Sequence, residues 1–553
     1  MTTKMKNKIL LAGALTLTLG FVSCADSFLD TSSKTESNTD TFYKTETDAY
    51  RALIGCYDGW RQTNSNPGIS FYVASEVLSA ECLGATGNTD GRGYQVIDRF
   101  DQSQSPADLN LFENDWKRYY EGVYRCNELI SRQEQIEWKE TGSKRGEYLG
   151  QAYAIRALLY FDMVRLWGNI PLLTEPTSEN VPQSDAKDVF ELIVSDLKYA
   201  AANIPASSGT FDGHITKYAA EALLARVYLF YSGYYGSEPT GLTKAEALAA
   251  VEDVISSGNY SLVPEFKNLW RPSSGVVTDK SADIATADDF IKLTGTYAGD
   301  DNPEVVLSMK FTSTQDYDGN NDGNRWLVMM GVRTLNSTNC PFGYGWGCCT
   351  VVPSFYASYL SGDTRRDASI INLATDGYDT TEQAADQREQ TGYTVKKYTP
   401  MCYSDGTCSN NSLEHKQGFQ EGQYQDYVIM RYADVLLMAA ELGSSNALNY
   451  FNMVRDRAFG DSSHRVTNLT QNVIMQERKW EFAFESINYW DLLRQGIDYA
   501  ASQLALNLDV VSGGAPDNVA ITAENVRTKK GLCQIPYNQI TLSNNVLKQN
   551  AGW

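Results

Sequence analysis

Residues 152–172, AYAIRALLYFDMVRLWGNIPL, place the strongest constraint on how this chain folds. Apolar side chains recur there at helical spacing along two neighbouring stripes, one of Ile155, Leu159, Met163, Leu166 and Trp167 and one of Tyr153, Ala157, Tyr160 and Val164. A helix that is apolar on two faces is stable only where other elements cover both faces. Gly168 and Pro171 then supply a stop signal. The pattern predicts a long helix that lies between other helices.

Helical periodicity extends over much of the remaining chain. It predicts helices over 42–62, 108–140, 145–167, 185–203, 216–235, 243–257, 427–442, 445–459 and 471–495. Helices of similar length that carry small residues and are joined by short Gly/Pro turns are typical of tetratricopeptide-like repeats. We therefore expect a mainly α fold, with a scaffold of about four helical pairs within 42–258 and 427–500.

Two segments lack this helical periodicity. Gly, Asn, Asp, Ser and Thr dominate residues 259–426, and residues 501–553 read as mostly irregular. Binding groups concentrate in long irregular segments of compact domains. We expect residues 42–553 to form one domain, in which 259–426 is a loop-rich, ligand-binding insertion.

The charge balance excludes one class of partner. The 47 basic and 68 acidic residues of the 553-residue chain give a formal net charge of -21. A surplus of negative charge without a basic run repels the phosphate backbone of nucleic acid. The aromatic content of 12% is somewhat rich, and such rings suit flat ligands that carry apolar faces and hydroxyls.

The N-terminus predicts export and lipidation. Lys4, Lys6 and Lys8 precede an apolar run, 9–22, whose length fits a signal peptide better than a membrane span. The run ends in FVSC, which is similar to a bacterial lipobox with Cys24 as the lipidated residue. We expect a signal peptide at 1–23 and a flexible tether at 24–41. An ordinary secretory signal with an incidental cysteine is the alternative.

Nine further cysteines allow local disulfides in an oxidising compartment. The spacing suggests Cys402 to Cys408, or Cys340 to one of Cys348 and Cys349. An odd number leaves at least one thiol free. The connectivity stays open at this point.

Several motifs in a fixed order carry a family resemblance. They are AYAIRALLYFDMVRLWGNIPL at 152–172, RYADVLLMAAE at 431–441, LNYFNMVRDRA at 448–458, ERKWEFAFE at 477–485, WDLLRQG at 490–496 and QIPYNQITLSNNVLKQNAGW at 534–553. Together they closely resemble the SusD/RagB family. Asn488 departs from the pattern, because an arginine is common at that position.

The resemblance implies a lipoprotein of the Bacteroidetes outer membrane, anchored through Cys24 and facing outward. Its fold would be four tetratricopeptide-like helical pairs with a loop-rich ligand-binding half. Family members capture glycans, or sometimes peptides, and pass them to a SusC-type TonB-dependent transporter. No cofactor is implied.

An aromatic, glycine-rich segment is the first candidate for ligand contact. In NCPFGYGWGCCT, 339–350, Phe342, Tyr344 and Trp346 alternate with glycines, which directs the rings to one side. Sugar rings bind aromatic platforms flanked by hydrogen-bonding groups. The resemblance further implies that Trp346 is the stacking aromatic. A buried loop anchor is the alternative interpretation.

Two other loops are expected to converge there. GATGNTDGRGY, 84–94, contributes Asn88, Asp90, Arg92 and Tyr94. DYDGNNDGNRW, 316–326, contributes Tyr317, Asn320, Arg325 and Trp326. For each of these residues, a solvated turn is the competing interpretation.

The second loop also contains half of a calcium-binding motif. Asp318, Asn320 and Asp322 follow the D-x-N-x-D-G pattern of an EF-hand loop, but Met329 stands where the bidentate Glu belongs. A calcium ion completed by other loops and a plain cluster of Asx turns both stay open.

The sequence argues against catalysis. It contains no HExxH, GxSxG, GxGxxG or phosphate-binding loop, and it has only three histidines. Glu477, Glu481 and Glu485 share a helix face, but glycosidase carboxylates normally face each other across a cleft. We expect them to form ion pairs with arginines of neighbouring helices. The predicted function is therefore non-catalytic glycan binding and delivery to the transporter, with a peptide-binding or transporter-interacting module as the alternative and a glycosidase as a third hypothesis.

Overall fold

A computed structural model describes residues 42–65, 68–206, 212–281, 287–311, 323–333, 341–376, 385–407 and 424–553. Its helices in the first half are α1 Glu46–Ser65, α2 Phe71–Val77, α3 Gly93–Asp98, α4 Glu113–Ser131, α5 Arg145–Trp167, α6 Ala186–Asn203, α7 Lys217–Tyr235, α8 Lys244–Ser256, α9 Arg271–Ser274 and α10 Ala287–Thr294. Those in the second half are α11 Arg325–Met330, α12 Pro353–Ser358, α13 Arg365–Ser369, α14 Tyr432–Leu442, α15 Ala447–Phe459, α16 Gln471–Glu481, α17 Asn488–Leu493, α18 Ile497–Leu504, α19 Ala523–Thr528 and α20 Tyr537–Leu542.

The strands are short and few. They are β1 Cys82–Leu83, β2 Ile170–Pro171, β3 Gln183–Ser184, β4 Val305–Met309, β5 Thr350–Val351, β6 Ile370–Asn372, β7 Tyr393–Val395, β8 Tyr427–Arg431, β9 Leu506–Ser512 and β10 Ala515–Ile521. Four of them form one antiparallel sheet in the order β1-β5-β7-β6, and the others pair as β4 with β8, β2 with β3 and β9 with β10.

The expected scaffold of helical pairs is confirmed. Helix α1 packs on α4, α5 on α6, α7 on α8, and α14 on α15. Further contacts of α4 with α5, α6 with α7 and α8 with α14 join the four pairs into one array. Because each pair covers an apolar face of the next, the array has a continuous hydrophobic core.

Helix α5 occupies the position that its two apolar stripes predicted. Every residue from Ala154 to Trp167 is buried, including three charged ones. Arg156 donates to both carboxylate oxygens of Asp196 on α6 at 2.8 Å, and Arg165 donates to Asp162 at 2.7 Å. The buried charges are therefore paired, as burial requires.

A second set of buried charges joins β8, α13, α15 and α16. We call it the arginine cluster, and it comprises Arg365, Lys397, Arg431, Arg455, Arg457, Glu304, Asp363, Glu477, Glu481 and Glu485. Arg431 donates to Glu481 at 2.8 Å and to both oxygens of Glu485 at 2.8 Å. Five cations face five carboxylates, so the cluster is neutral as a whole.

The structure corrects the sequence-based prediction at three places. The helix expected over 471–495 is broken into α16 and α17, because Phe484 and Ser486 adopt left-handed backbone conformations. The helix expected from 427 begins at Tyr432, and the preceding residues form β8, which pairs with β4.

The third correction concerns residues 501–553, which are not mostly irregular. They contain the β9–β10 hairpin, whose turn at Gly513 and Gly514 uses φ values of 59° and 78°. Two glycines between alternating strands favour such a tight turn, so the signal was present in the sequence. Helices α19 and α20 follow the hairpin.

Candidate functional site

The small β1-β5-β7-β6 sheet brings two of the predicted loops together. Cys82 pairs with Val351 and Leu83 with Thr350, so the segment after β1 and the segment before β5 leave the ladder at the same end. The amide of Thr86 donates to the carbonyl of Gly347 at 3.1 Å. The amide of Asn88 donates to the carbonyl of Asp386 at 2.9 Å, which adds a third segment.

We call the resulting patch the Trp346 surface. Its members come from loop 84–94, from the region of α11, from the glycine-rich segment and from the segment after residue 384: Asn88, Asp90, Arg92, Tyr94, Arg325, Arg333, Tyr344, Trp346 and Asp386. The structure thus places seven of the ten predicted ligand residues on converging segments: Asn88, Asp90, Arg92, Tyr94, Arg325, Tyr344 and Trp346.

Trp346 is partly buried and is held from two directions. Its amide donates to the carbonyl of Val328 on α11 at 2.8 Å, and the guanidinium carbon of Arg325 lies 4.4 Å from its ring centroid. A cation over the ring face is attracted by the ring quadrupole. The side chain is therefore fixed in orientation while part of its ring stays exposed.

Close backbone contact explains the glycines beside Trp346. A Cβ added to Gly345 would lie 2.3 Å from the Cα of Gly331, and one added to Gly331 would lie 2.6 Å from the Cα of Gly345. Neither position has room for a side chain, because the opposing atoms belong to the main chain. The two glycines let the aromatic segment lie directly against the end of α11.

Tyr94 packs beneath the same patch. Its hydroxyl lies 3.8 Å from the sulfur of Met329 on α11. Burial raises the pKa of the Tyr94 phenol well above its ordinary value, so the group stays a neutral hydrogen-bonding hydroxyl. A Cβ on Gly84 would lie 2.8 Å from the Cβ of Tyr94, which shows how tightly the loop closes on this ring.

Arg388 fixes the conformation of loop 84–94. The sequence did not predict this role. Its buried guanidinium donates to the carbonyls of Asn88 at 2.9 Å, Asp90 at 2.8 Å and Gly91 at 3.1 Å. A single planar group with several donors fits this arrangement. No local sequence pattern marks Arg388, because its partners are about 300 residues away.

Asp90 and Asn88 are exposed at the rim of the patch. The Asp90 carboxylate accepts from the amide of Gly87 at 2.8 Å and lies 3.7 Å from Arg333. Arg333 in turn donates to Asp386 at 3.0 Å. The rim therefore offers charged and amide groups next to the aromatic ring.

Two predicted aromatic residues are buried among core side chains, whereas Arg325, which is also buried, contacts the ring of Trp346. Trp326 has no exposed surface and packs against the rings of Tyr398 and Tyr427. Phe342 is 6% exposed and packs with Val332 and Ile371. In helix α11 adjacent residues point in different directions, so Arg325 reaches Trp346 while Trp326 enters the core. We therefore leave Trp326 and Phe342 out of the binding surface.

Several predicted residues lie outside the described part of the chain. They are Cys24, Tyr317, Asp318, Asn320 and Asp322. Within the described residues, no group of three or more His, Cys, Asp or Glu side chains is arranged to hold a metal ion. The calcium hypothesis for the 318–322 loop thus remains a prediction.

The expected disulfide from Cys340 to Cys348 or Cys349 is wrong, because both of the latter are free, buried thiols. The Cys348 thiol lies 3.4 Å from the carbonyl of Gly84. Burial raises the pKa of both thiols, which suppresses their reactivity. Cys402 is disulfide-bonded, while Cys340 and Cys408 lie outside the described residues.

Three surface pockets lie away from the Trp346 surface. The largest, of about 580 Å³, runs between α4 and the C-terminal segment and is lined by Trp116, Tyr120 and Leu542. A second, of about 310 Å³, is lined by Tyr57, Trp60 and His214. A third, of about 240 Å³, contains Glu81. None of the helices in the described segments has the length and apolar character needed to cross a membrane.

Fold and surface together define the class of the protein: a helical-repeat scaffold that presents a loop-built aromatic surface suited to binding. Residues 303–553 match the family model described as "SusD family", and residues 27–229 match the one described as "Starch-binding associating with outer membrane". The chain belongs to the SusD/RagB family, as its motifs indicated.

Relatives and solved structures agree over nearly the whole chain. It is 24% identical to a SusD-like protein of Formosa agariphila over 89% of this chain and 92% of the relative. It is 26% identical to a SusD-like protein of Bacteroides ovatus over 88% of this chain and 82% of the relative.

Among solved structures, it is similar to a "Laminarin binding SusD-like protein" with 25% identity and a TM-score of 0.69, covering 92% of this chain and 100% of the other. A surface glycan-binding protein A from Bacteroides thetaiotaomicron in complex with laminarihexaose matches with 22% identity and a TM-score of 0.67, at the same coverages.

Proposed function

We propose that this protein is a non-catalytic glycan-binding protein of the cell surface, which captures oligosaccharide or polysaccharide for a SusC-type TonB-dependent transporter. One observation carries the proposal. Trp346 is partly exposed, is fixed by the backbone of α11 and by Arg325, and lies on converging segments that also carry exposed polar side chains. The names of the similar structures, which include laminarin binding and a laminarihexaose complex, support a glycan as the ligand.

The geometry suits a sugar for a physical reason. A pyranose presents C–H groups on its faces and hydroxyls around its rim, so it binds best where an aromatic face and polar groups are already positioned. Trp346 supplies the ring, and Asn88, Asp90 and Arg333 supply donors and acceptors beside it. Preorganisation matters because ordering side chains on binding costs free energy.

Binding to a glycan panel tests this proposal. Isothermal titration and affinity electrophoresis would use the mature protein with laminarin, starch, xylan and mannan, because the neighbours favour a glucan but hydroxyl geometry decides specificity. We expect binding to at least one glycan, weakened at least about tenfold by Trp346→Ala, since loss of one ring contact removes roughly 1.4 kcal/mol.

Trp553→Ala is the matched control. Trp553 is also partly buried and also lies under a cation, with the Lys529 ammonium 4.8 Å from its ring, but it is not part of the Trp346 surface. Its removal should leave glycan affinity unchanged. Binding of peptides and of no glycan would replace the proposal with the peptide-binding alternative.

The glycosidase hypothesis has little support in the geometry. Glu477, Glu481 and Glu485 are fully buried within the arginine cluster and pair with arginines or Lys397. Glu481 shows the consequence. Burial alone would raise its pKa, but Arg457, Arg431 and Arg365 lower the pKa to about 2, so it cannot act as a proton donor near neutral pH. Product formation from any bound glycan would contradict the non-catalytic proposal.

Anchoring through Cys24 and association with the outer membrane complete the proposal. The lipobox-like FVSC sequence and the description of the matched N-terminal family model support it. We expect the wild-type protein in the outer-membrane fraction and Cys24→Ala in the soluble fraction. Co-purification of a TonB-dependent transporter with the wild type would test the partner, and equal fractionation of both forms would contradict the anchor.

A further inference from the structure

The pocket that contains Glu81 presents an unusual set of side chains. It measures about 240 Å³, far more than the roughly 15 Å³ that a single water needs. Five carboxamides line it, together with Lys479 and Tyr499. None of its lining residues belongs to the Trp346 surface, although Glu81 directly precedes β1 and loop 84–94 directly follows that strand.

Two buried groups in the pocket lack their full complement of partners. The Glu81 side chain is buried, and its two oxygens accept from the Asn488 amide nitrogen at 2.9 Å each. No cation of the described residues lies within 4 Å of this carboxylate. The Asn488 amide oxygen is buried, lines the same pocket and accepts no hydrogen bond. A buried acceptor without a donor is costly, so the site favours a molecule that donates to it.

The pocket also offers donors. Lys479 lines it, and its charge acts on the Glu81 carboxylate without contacting it. Gln476 adds an amide that both donates and accepts. Tyr499 also lines the pocket and is 39% exposed. The pocket therefore combines hydrogen-bond donors, hydrogen-bond acceptors and a partly exposed aromatic ring.

A sugar hydroxyl group both donates and accepts a hydrogen bond, so neighbouring hydroxyls match a pocket lining that combines carboxylate, amide and ammonium groups. A simple cation would satisfy Glu81 and Asn488 but would be repelled by Lys479. We infer that the pocket bounded by Glu81, Asn488, Lys479 and Tyr499 is a second carbohydrate subsite, which binds one saccharide unit. The inference deepens the proposed glycan-binding function and rests on it for the class of ligand.

The test uses the mature protein in the Trp346→Ala background, so that the Trp346 surface does not contribute. Ligand-observed NMR and isothermal titration with glucose, galactose, mannose, xylose and glucosamine would measure binding in buffer free of glycerol. We expect millimolar binding of at least one sugar. Tyr499→Ala should weaken it about tenfold, and Asn488→Arg, whose side chain would fill the pocket and pair with Glu81, should abolish it.

Tyr537→Ala is the matched control, because Tyr537 is 55% exposed and does not line the pocket. It should leave sugar binding unchanged. Tyr499 lies at the surface, so that variant stays interpretable even where Asn488→Arg fails to fold. Methylguanidinium is the competing probe: a rise in melting temperature with it, together with no sugar binding, would show a cation site and overturn the inference.

Two further outcomes would overturn the inference as well. Sugar binding that neither pocket variant changes would place the subsite elsewhere, and no binding of any sugar would remove it. Failure of the proposed glycan-binding function would give a different experimental result from failure of the pocket inference. In that case the protein with an intact Trp346 fails to bind every polysaccharide, whereas the pocket experiment is scored on single sugars with Trp346 removed.

Discussion

The arginine cluster and the Trp346 surface both depend on buried arginines, but the arginines have charged partners in the cluster and neutral partners at the surface. In the cluster, Arg431 is surrounded by Glu304, Glu481 and Glu485, and these carboxylates raise its pKa well above the ordinary value although burial lowers it. At the surface, Arg388 meets neutral carbonyls, and burial together with the charge of Arg92 lowers its pKa.

The difference separates stability from recognition. Removing one cation from the cluster leaves several buried charges unpaired, whereas removing Arg388 leaves carbonyls that water can reach at the edge of an exposed loop. The first change should strongly destabilise the protein, and the second should loosen only the Trp346 surface. Four predictions test this comparison.

The largest effect is expected for Arg431→Met. It leaves Glu304, Glu481 and Glu485 with fewer buried partners, which should reduce the free energy of unfolding by about 3–5 kcal/mol. Denaturant unfolding measures the change. Arg366→Ala is the control, because Arg366 and its partner Asp367 are exposed, and it should cost less than about 1 kcal/mol. If the two substitutions reduced the free energy of unfolding equally, the arginine cluster would not have the special role in stability that we assign to it.

Acid should affect the scaffold strongly. Arginines lower the pKa of Glu481 to about 2, and Arg478 and Arg226 lower that of Asp434 to about 2, although burial opposes both shifts. A carboxyl with a lowered pKa stabilises the fold above its unfolded pKa, near 4, and loses this contribution as the pH falls towards 2. The free energy of unfolding should therefore fall steeply between about pH 4.5 and pH 2.

The contribution of Glu81 to the free energy of unfolding should depend on pH in the opposite direction. Burial raises its pKa to about 7, so its contribution to stability is present below its unfolded pKa and is lost as the pH rises through 7. Comparing the wild type with Glu81→Gln between about pH 5 and pH 8 isolates this term, because the variant cannot ionise there. If the free energies of unfolding of the two proteins changed with pH in parallel, the raised pKa of Glu81 would be contradicted.

The smallest effect on stability is expected for Arg388→Ala. Losing its hydrogen bonds should cost about 1–2 kcal/mol, while amide exchange in residues 86–91 accelerates and glycan binding weakens about tenfold. Arg388→Lys should give an intermediate result, since an ammonium cannot reach several carbonyls in one plane. If amide hydrogen exchange in residues 86–91 stayed unchanged, contacts other than those of Arg388 would be shown to fix the loop.

Much of the scaffold could be predicted from the sequence because its signals are local. The stripes of α5 are spaced along a single helix, and the boundary at Trp167 follows from the next residue, Gly168. The break between α16 and α17 could not be predicted in this way. Ser486 donates to the carbonyl of Tyr72 and its amide donates to Glu76, so contacts about 400 residues away fix that conformation.

The Trp346 surface, which is the candidate binding surface, was predicted only in part for the same reason. Alternation with glycines identified Trp346, and the two loops brought Tyr94 and Arg325 to it. The pattern could not show that Trp326, next to Arg325, enters the core, nor that Arg388 closes loop 84–94. Both facts depend on which segments meet after folding. The expected metal and lipid positions lie outside the described residues and stay predictions.

The β9–β10 hairpin has a consequence for the order in which the protein is completed. The amide of Gly513 donates to the carbonyl of Gln387 at 3.0 Å, and Gln390 exchanges backbone hydrogen bonds with Val511. Gln387 and its neighbours in turn support loop 84–94. Because a chain is made from its N-terminus, loop 84–94 is synthesised long before the hairpin that completes its contacts. The newly made protein therefore acquires most of its helices before it acquires the finished Trp346 surface.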